Sequence, residues 1–183
     1  MIMRFWVGNQ LKLKTSAKIL SWAIPRIRFM FTEKNKHIAQ HSGGSMPPFK
    51  TTYRISWVDT DAAQVVHFSN YFRFFERAEE EMYQQLGFTF NDIIRKYDFW
   101  FPRVEAFCKF KAPSKYGDVL EVSVVVAEIM DKAVKYDFEM VNKASGQLVS
   151  EGYVVVVVAD KKLGKAVNLP KELIEKLAIY KES

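Results

Sequence analysis

The stretch Asp59-Thr60-Asp61-Ala62-Ala63-Gln64-Val65-Val66-His67-Phe68-Ser69-Asn70-Tyr71 concentrates the residue types that do chemistry in this chain. Two carboxylates share a short loop that follows an alternating, strand-like run, and a helix start comes directly after it. A helix N-terminus presents backbone N–H groups that lack internal partners, so it carries partial positive charge. A carboxylate beside such an end suits chemistry at a carbonyl. The acid attacks the carbon or activates a water, and the N–H groups take the developing negative oxygen. Asp is also an ordinary turn and capping residue. Asp59 and Asp61 are both candidates for this acid. His67 offers the imidazole that exchanges protons near neutral pH, but a lone histidine beside Phe68 reads first as a packed residue with one hydrogen bond.

The elements that position this segment follow from periodicity. Tyr53, Ile55 and Trp57 alternate with Arg54 and Ser56 and predict a half-buried strand. From about Asn70 to Leu86, the apolar residues Tyr71, Phe74, Phe75, Ala78, Met82 and Leu86 recur at helical spacing. Ser69 or Asn70 is the expected N-cap and Gly87 the stop. The run Glu79-Glu80-Glu81 reads as a solvated face, and a second short helix is expected at 91–97 with Asn91 as its cap. Four strands in hairpin-like succession follow. Val104, Ala106, Cys108 and Phe110 alternate, as do Leu120, Val122, Val124 and Val126 after the turn at Tyr116-Gly117-Asp118. Tyr136, Phe138 and Met140 then precede a turn at Ser145-Gly146 and a continuous apolar strand at 153–159, expected to be covered by the helix on one face and a partner subunit on the other. A last helix opens after Pro170 at 171–178. One long helix packed into a curled antiparallel sheet accounts for this order, an α+β architecture.

Composition narrows the class. The formal charge of +6 over 183 residues comes from one end. Residues 1–36 carry eight Lys/Arg against Glu33 alone, and the remainder carries 19 basic and 20 acidic residues. The folded part is therefore near neutral, and no basic face for nucleic acid is implied. The single Cys108 excludes an intrachain disulfide and fits a reducing compartment. His37, His41, His67 and Cys108 show no metal-ligand spacing, and no phosphate-binding glycine motif occurs. Residues 1–46 form a basic, nearly acid-free leader ending in Ser42-Gly43-Gly44-Ser45, and residues 47–183 form the domain. The leader is read as an upstream extension before Met46, with an organelle presequence or a surface-associating segment as alternatives. It lacks a run of ~20 apolar residues, so no integral membrane association is expected. The expected location is cytoplasmic, or an organelle matrix if the leader is a presequence.

The pattern DTDAA, then Val65-Val66, Asn70-Tyr71 and Phe75-Glu76-Arg77-Ala78, closely resembles the acyl-CoA thioesterases of the 4-hydroxybenzoyl-CoA thioesterase family, which have the hotdog fold. Lys111-Ala112-Pro113 and Gly117-Asp118-Val119-Leu120 add weaker matches, so the resemblance covers most of 51–160. It implies hydrolysis of acyl-CoA to a free acid and CoA, without metal or cofactor, by a homodimer or a homotetramer built as a dimer of dimers. It also implies catalysis by the second acid of the loop, Asp61, with the backbone N–H of Phe68 polarising the carbonyl, and it leaves Asp59 to hold the loop through backbone hydrogen bonds. Gln64 stands where many members have Gly, and His67 where Tyr or Trp is frequent; a side chain at Gln64 narrows the loop or bonds the attacking water. Glu76 is expected as an ion-pair partner on the helix. Tyr71 and Phe75, with Phe68, Phe99, Trp100 and Phe101, are the candidate acyl-pocket residues, and Lys111, Lys115 and Lys132 the candidates for the nucleotide end of CoA. The alternatives are a thioesterase acting on acyl-carrier protein and a non-catalytic acyl-CoA-sensing module.

Overall fold

The structure is a computed structural model that describes residues 47–182, so every expectation about the leader lies outside the described residues. Five strands form one antiparallel sheet: β1 Phe49–Arg54, β3 Arg103–Phe110, β4 Val119–Ile129, β5 Ala133–Asn142 and β6 Leu148–Val157. Their order is β1-β4-β5-β6-β3. Two short strands, β2 Phe99–Trp100 and β7 Ala159–Asp160, pair with each other. The helices are α1 Asn70–Gln85, α2 Phe90–Tyr97 and α3 Lys171–Leu177. The α+β arrangement of a long helix against a curled antiparallel sheet is the one expected.

The helix α1 buries Phe74, Phe75, Ala78 and Met82, the stripe at 3.6-residue spacing, against the inner sheet face. Phe75 stacks on Phe138 of β5 with centroids 4.4 Å apart. Register irregularities at Arg103/Glu105, Val126/Glu128 and Met140/Val141 interrupt the ladders. Such bulges increase local twist, which lets a sheet wrap a helix. Gly152 permits the close approach, because a Cβ there would sit 2.3 Å from the Phe107 carbonyl oxygen and 2.9 Å from the Phe75 ring. Gly87, at φ +86°, ends α1. The N–H groups of Gly87 and Phe88 donate to the carbonyl oxygens of Gln84 and Tyr83, closing the C-terminal turn with its last carbonyls satisfied.

Several local expectations are corrected. The strands do not follow one another as hairpins throughout, because β3 pairs with β6 and lies at the edge opposite β1. The turn before β4 is therefore a crossover. The strand β1 ends at Arg54, and Trp57 enters a 3-10 turn, Trp57–Asp59, where it is exposed. The cap of α2 is Thr89, whose hydroxyl accepts from the Asp92 N–H at 3.1 Å while the Asp92 carboxylate reaches back; Asn91 lies inside the helix. The outer face of β6 is covered within the chain, where Val155 and Val157 pack with Ala133, Val104, Met130 and Ala166.

The run Glu79-Glu80-Glu81 is not a solvated face. Both flanks of α1 meet sheet edges, and only Glu80 is exposed. Glu81 accepts from the Tyr53 hydroxyl at 3.0 Å and from Thr51, both on β1. Glu79 is buried and accepts from Arg103 Nη2 at 3.0 Å on β3. Burial raises the Glu79 carboxyl from 4.5 to about 7, opposed only in part by Arg103.

In the unfolded chain Glu79 titrates at its ordinary value, so its contribution to stability is fully present below about pH 4.5 and is lost as pH rises through about 7. In urea unfolding, Glu79→Gln is expected to lack that loss, which is on the order of 3 kcal/mol between pH 5 and 8; equal pH slopes for the two proteins would refute it. Gly152→Ala is expected to lower stability by about 1–3 kcal/mol through overpacking, read from the same unfolding curves.

Candidate active site

The Asp59–Asn70 segment is a compact, internally bonded loop. Thr60 and Val66 face each other in an antiparallel bridge. Within it, the Asp61 N–H donates to the Val65 carbonyl at 2.9 Å and the Gln64 N–H to the Asp61 carbonyl at 2.9 Å. Gln64 closes the turn at φ +63°. A residue with a Cβ is disfavoured in that region by roughly 1–2 kcal/mol, which gives a physical reason for glycine at such a position. Asp61 Oδ1 accepts from the Ala63 N–H at 2.8 Å, and its other oxygen has no hydrogen bond among the described residues.

Asp59 works on the opposite side of the loop. Its carboxylate accepts from the Ser56 N–H at 2.8 Å. Its carbonyl oxygen accepts from the His67 N–H at 2.9 Å and from Asn70 Nδ2 at 2.9 Å. The loop is thereby tied to the first residue of α1. The N–H of Phe68, between these anchored residues, donates to nothing among the described residues, and it stands at the helix N-terminus where an anion is favoured. His67 Nδ1 lies 2.8 Å from Ser69 Oγ and accepts weakly from the Ser69 N–H at 3.4 Å, so the neutral ring carries its proton on Nε2. Its ring tilts over Phe68 with centroids 4.4 Å apart. Ser69 therefore serves His67 and makes no side-chain cap.

A cavity of about 310 Å³ opens beside this N-terminus, lined by Val65, Phe68, Tyr71, Phe110, Lys111 and Pro113 among others. The loop is stitched to the far wall, where the Val66 N–H donates to the Ser114 carbonyl at 2.9 Å and Val65 bridges Lys115. Asp61 does not line the cavity itself; it hydrogen-bonds Val65, which does. Tyr71 meets Phe110 edge-on at 4.8 Å, and burial raises its hydroxyl pKa with Cys108 nearby. Burial also pushes the Cys108 thiol up to about 11, which keeps it protonated and unsuited to nucleophilic attack.

The remaining candidates are dispersed. Phe75 is in the core, stacked on Phe138. Glu76 lies 3.7 Å from Arg103, on the exposed side of α1. Lys111 pairs with Glu151 at 2.7 Å, which holds its ammonium form more firmly. Lys132 caps the β4–β5 turn with Nζ 3.4 Å from the Ala166 carbonyl. That turn is at the opposite end of the sheet from Lys111, eight residues along β6 at ~3.4 Å each. Sequence reasoning had not picked out Val65, Phe110, Ala112 and Pro113 as pocket residues. Their signal was the Lys111-Ala112-Pro113 match and the alternation ending at Phe110. Among the described residues, no cluster of three or more His, Cys, Asp or Glu is placed to hold a metal ion.

Residues 55–177 match the family model of the thioesterase-like superfamily. The chain belongs to that superfamily. Acyl-CoA thioester hydrolase YbgC of Escherichia coli O157:H7 is 28% identical over 126 residues, 69% of this chain and 92% of that protein. The crystal structure of Slr0204, a 1,4-dihydroxy-2-naphthoyl-CoA thioesterase from Synechocystis, superposes with a TM-score of 0.67 at 26% identity, covering 70% of this chain and 94% of that one. The gentisyl-coenzyme A thioesterase BH1999 gives 0.63 at 27%, covering 70% and 99%. Within the thioesterase-like superfamily the fold is the hotdog fold and the enzymatic class is thioester hydrolysis. No helix among the described residues is long and apolar enough to cross a membrane.

Asp59→Ala is expected to lower unfolding stability by about 1 kcal/mol, the worth of a lost cap-type hydrogen bond. Loss of that bond loosens the loop that carries Asp61, so kcat should fall with the stability.

Proposed function

We propose that this protein hydrolyses acyl-CoA thioesters, with Asp61 as the catalytic carboxylate and the Phe68 N–H as the donor to the thioester oxygen. The observation that carries this reading is the Phe68 N–H at the head of α1, without a partner among the described residues, on a residue that lines a cavity whose wall residue Val65 is bonded to Asp61. With the acyl group in the cavity, the carbonyl oxygen accepts from Phe68, and negative charge developing there meets the positive helix end. Asp61 then either attacks the carbonyl carbon, giving an acyl-aspartyl anhydride and a CoA thiolate, or removes a proton from an attacking water. In the first course, water cleaves the anhydride and restores Asp61. Both courses end in a carboxylic acid and CoA.

The relatives named for dihydroxynaphthoyl-CoA and gentisyl-CoA support a flat aromatic acyl group, and a cavity of about 310 Å³ with the aromatic walls Phe68, Tyr71 and Phe110 suits an aromatic or an aliphatic one. Asp59 and Asn70 hold the loop, Gln64 shapes it, Lys111 lines the cavity, and Lys115 bridges its wall residue Val65. The working unit is a homodimer or a dimer of dimers. Support comes from β3, an edge strand that exposes Phe107 and Phe110 beside the cavity, the type of edge that a second strand covers.

In a thiol-release assay over aliphatic and aromatic acyl-CoAs, Asp61→Asn is expected to lose at least about a hundredfold in kcat, the lower range for a positioned acid–base group. Its circular dichroism should be unchanged, because the amide oxygen of Asn still accepts from the Ala63 N–H. Near-wild-type kcat in Asp61→Asn would overturn the assignment. In a single turnover in ¹⁸O-water, label found in the Asp61 carboxylate identifies the anhydride course, because water that cleaves the anhydride at the aspartyl carbonyl leaves its oxygen there. Release from no CoA ester would move the reading to a carrier-protein thioester or to a sensing module.

A further inference from the structure

Two aromatic side chains stand in water near the cavity, and the proposed chemistry uses neither. Trp57, in the turn after β1, is 72% exposed, and Tyr116, in the crossover before β4, is 62% exposed. Their rings meet edge to face, centroids 5.9 Å apart at 77°. The two faces form an open corner, so a flat ring laid on one would be met at its edge by the other. Aromatic surface left in water contributes little to the core, and two adjoining exposed rings offer a contact surface.

The corner is built on rigid backbone. The Ile55 N–H donates to the Asp118 carbonyl at 2.8 Å, and the Gly117 N–H to the Ile55 carbonyl at 3.0 Å. Gly117 adopts φ +87°, a conformation open to glycine, and this lets the chain double back beside Trp57. Two cations flank the rings. Arg54 reaches the Gly117 carbonyl with Nη1 at 3.4 Å, and Lys115 directly precedes Tyr116. Neither forms an ion pair among the described residues. The acids of the same region each have a fixed backbone donor: Asp118 accepts from the Lys115 N–H at 2.9 Å, Asp59 from Ser56 and Asp61 from Ala63. The corner thus offers π faces for a base and, for phosphate, two cations that form no ion pair among the described residues.

It is also continuous with the cavity. Val65 lines the cavity and bridges Lys115, the residue before Tyr116. One bridge and one residue separate them, so the rings stand on the order of 10 Å from the cavity wall. The pantetheine arm of a CoA thioester is long enough to cross that gap.

We propose that Trp57 and Tyr116, flanked by Arg54 and Lys115, seat the adenine nucleotide of the CoA thioester, the base stacked on the indole and the phosphates on the two cations. This rests on the reading of the protein as a CoA thioester hydrolase.

The test compares one acid presented as its CoA thioester and as its N-acetylcysteamine thioester, which has no nucleotide. The quantity read is the ratio of the two kcat/KM values. Trp57→Ala is expected to lower that ratio about tenfold, the worth of one lost base stack, through KM of the CoA ester; Trp57→Phe should restore most of it. Lys115→Ala should lower the ratio too, with a stronger effect at low salt. An unchanged ratio in Trp57→Ala overturns the proposal. A change from dimer to monomer in Trp57→Ala by sedimentation also overturns it, because the corner would then be a subunit contact. A separate titration needs no turnover: 3′-phosphoadenosine 5′-phosphate should quench tryptophan fluorescence in the full chain and fail to do so in Trp57→Phe. If neither thioester is hydrolysed, the thioesterase reading fails on its own, while quenching that depends on Trp57 still supports the nucleotide seat and its absence still refutes it.

Discussion

The Asp59 carbonyl oxygen is the joint on which the site depends. It accepts one hydrogen bond from the His67 backbone and one from the Asn70 side chain, so a single acceptor locks the loop to the first residue of α1. With that joint made, Asp61 is held on one side of the loop, and the Phe68 N–H is left as the unpaired donor on the other. Preorganised dipoles of this kind need no reorientation as charge develops, and their effect is greatest where water is excluded. Phe68, Tyr71 and Phe110 give the cavity beside that helix end aromatic walls, with Tyr71 buried and the other two open to solvent.

The larger elements were legible because their signals are periodic. The helix from Asn70, its stop at Gly87 and the alternating strands each rest on several residues repeating one pattern, so individual exceptions do not erase them. The acid loop was legible for a different reason, as acids followed at once by a helix start. Less legible were features decided by residues far apart in sequence. Nothing local to Glu79 distinguishes it from Glu80, and the difference is made by Arg103 and by the edge strand that covers one flank of the helix. The β3–β6 pairing was hidden for the same reason, since a glycine turn reads alike whether the next strand lies alongside or across the sheet. Trp57 continues the alternation of β1 but falls after the backbone has turned, and periodicity does not report where a strand stops.

The polar contacts on the two flanks of α1 set its rotation on the sheet. On one side Glu81 meets Tyr53 and Thr51 of β1, and on the other Glu79 meets Arg103 at the start of β3. Apolar packing alone tolerates small rotations of a helix over a sheet. Directional contacts on both flanks do not. The long helix is therefore clamped along its length, while the chemistry takes place at its end.

The strand order has a kinetic consequence. The centre of the sheet, β4-β5-β6, is a meander whose pairings are local in sequence, whereas β1 must find β4 across 65 to 75 residues, as the pairs Arg54–Val119 and Phe49–Val124 show. The edge β3 likewise closes onto β6 over a long stretch of chain. Local pairings carry little loop-closure entropy and form early; distant ones wait. The cavity draws its wall from the end of β3 and its loop from the end of β1, the two outermost strands. It comes into being only when both borders have docked, and a fluctuation that frays either border dissolves the site while the middle of the sheet stays intact.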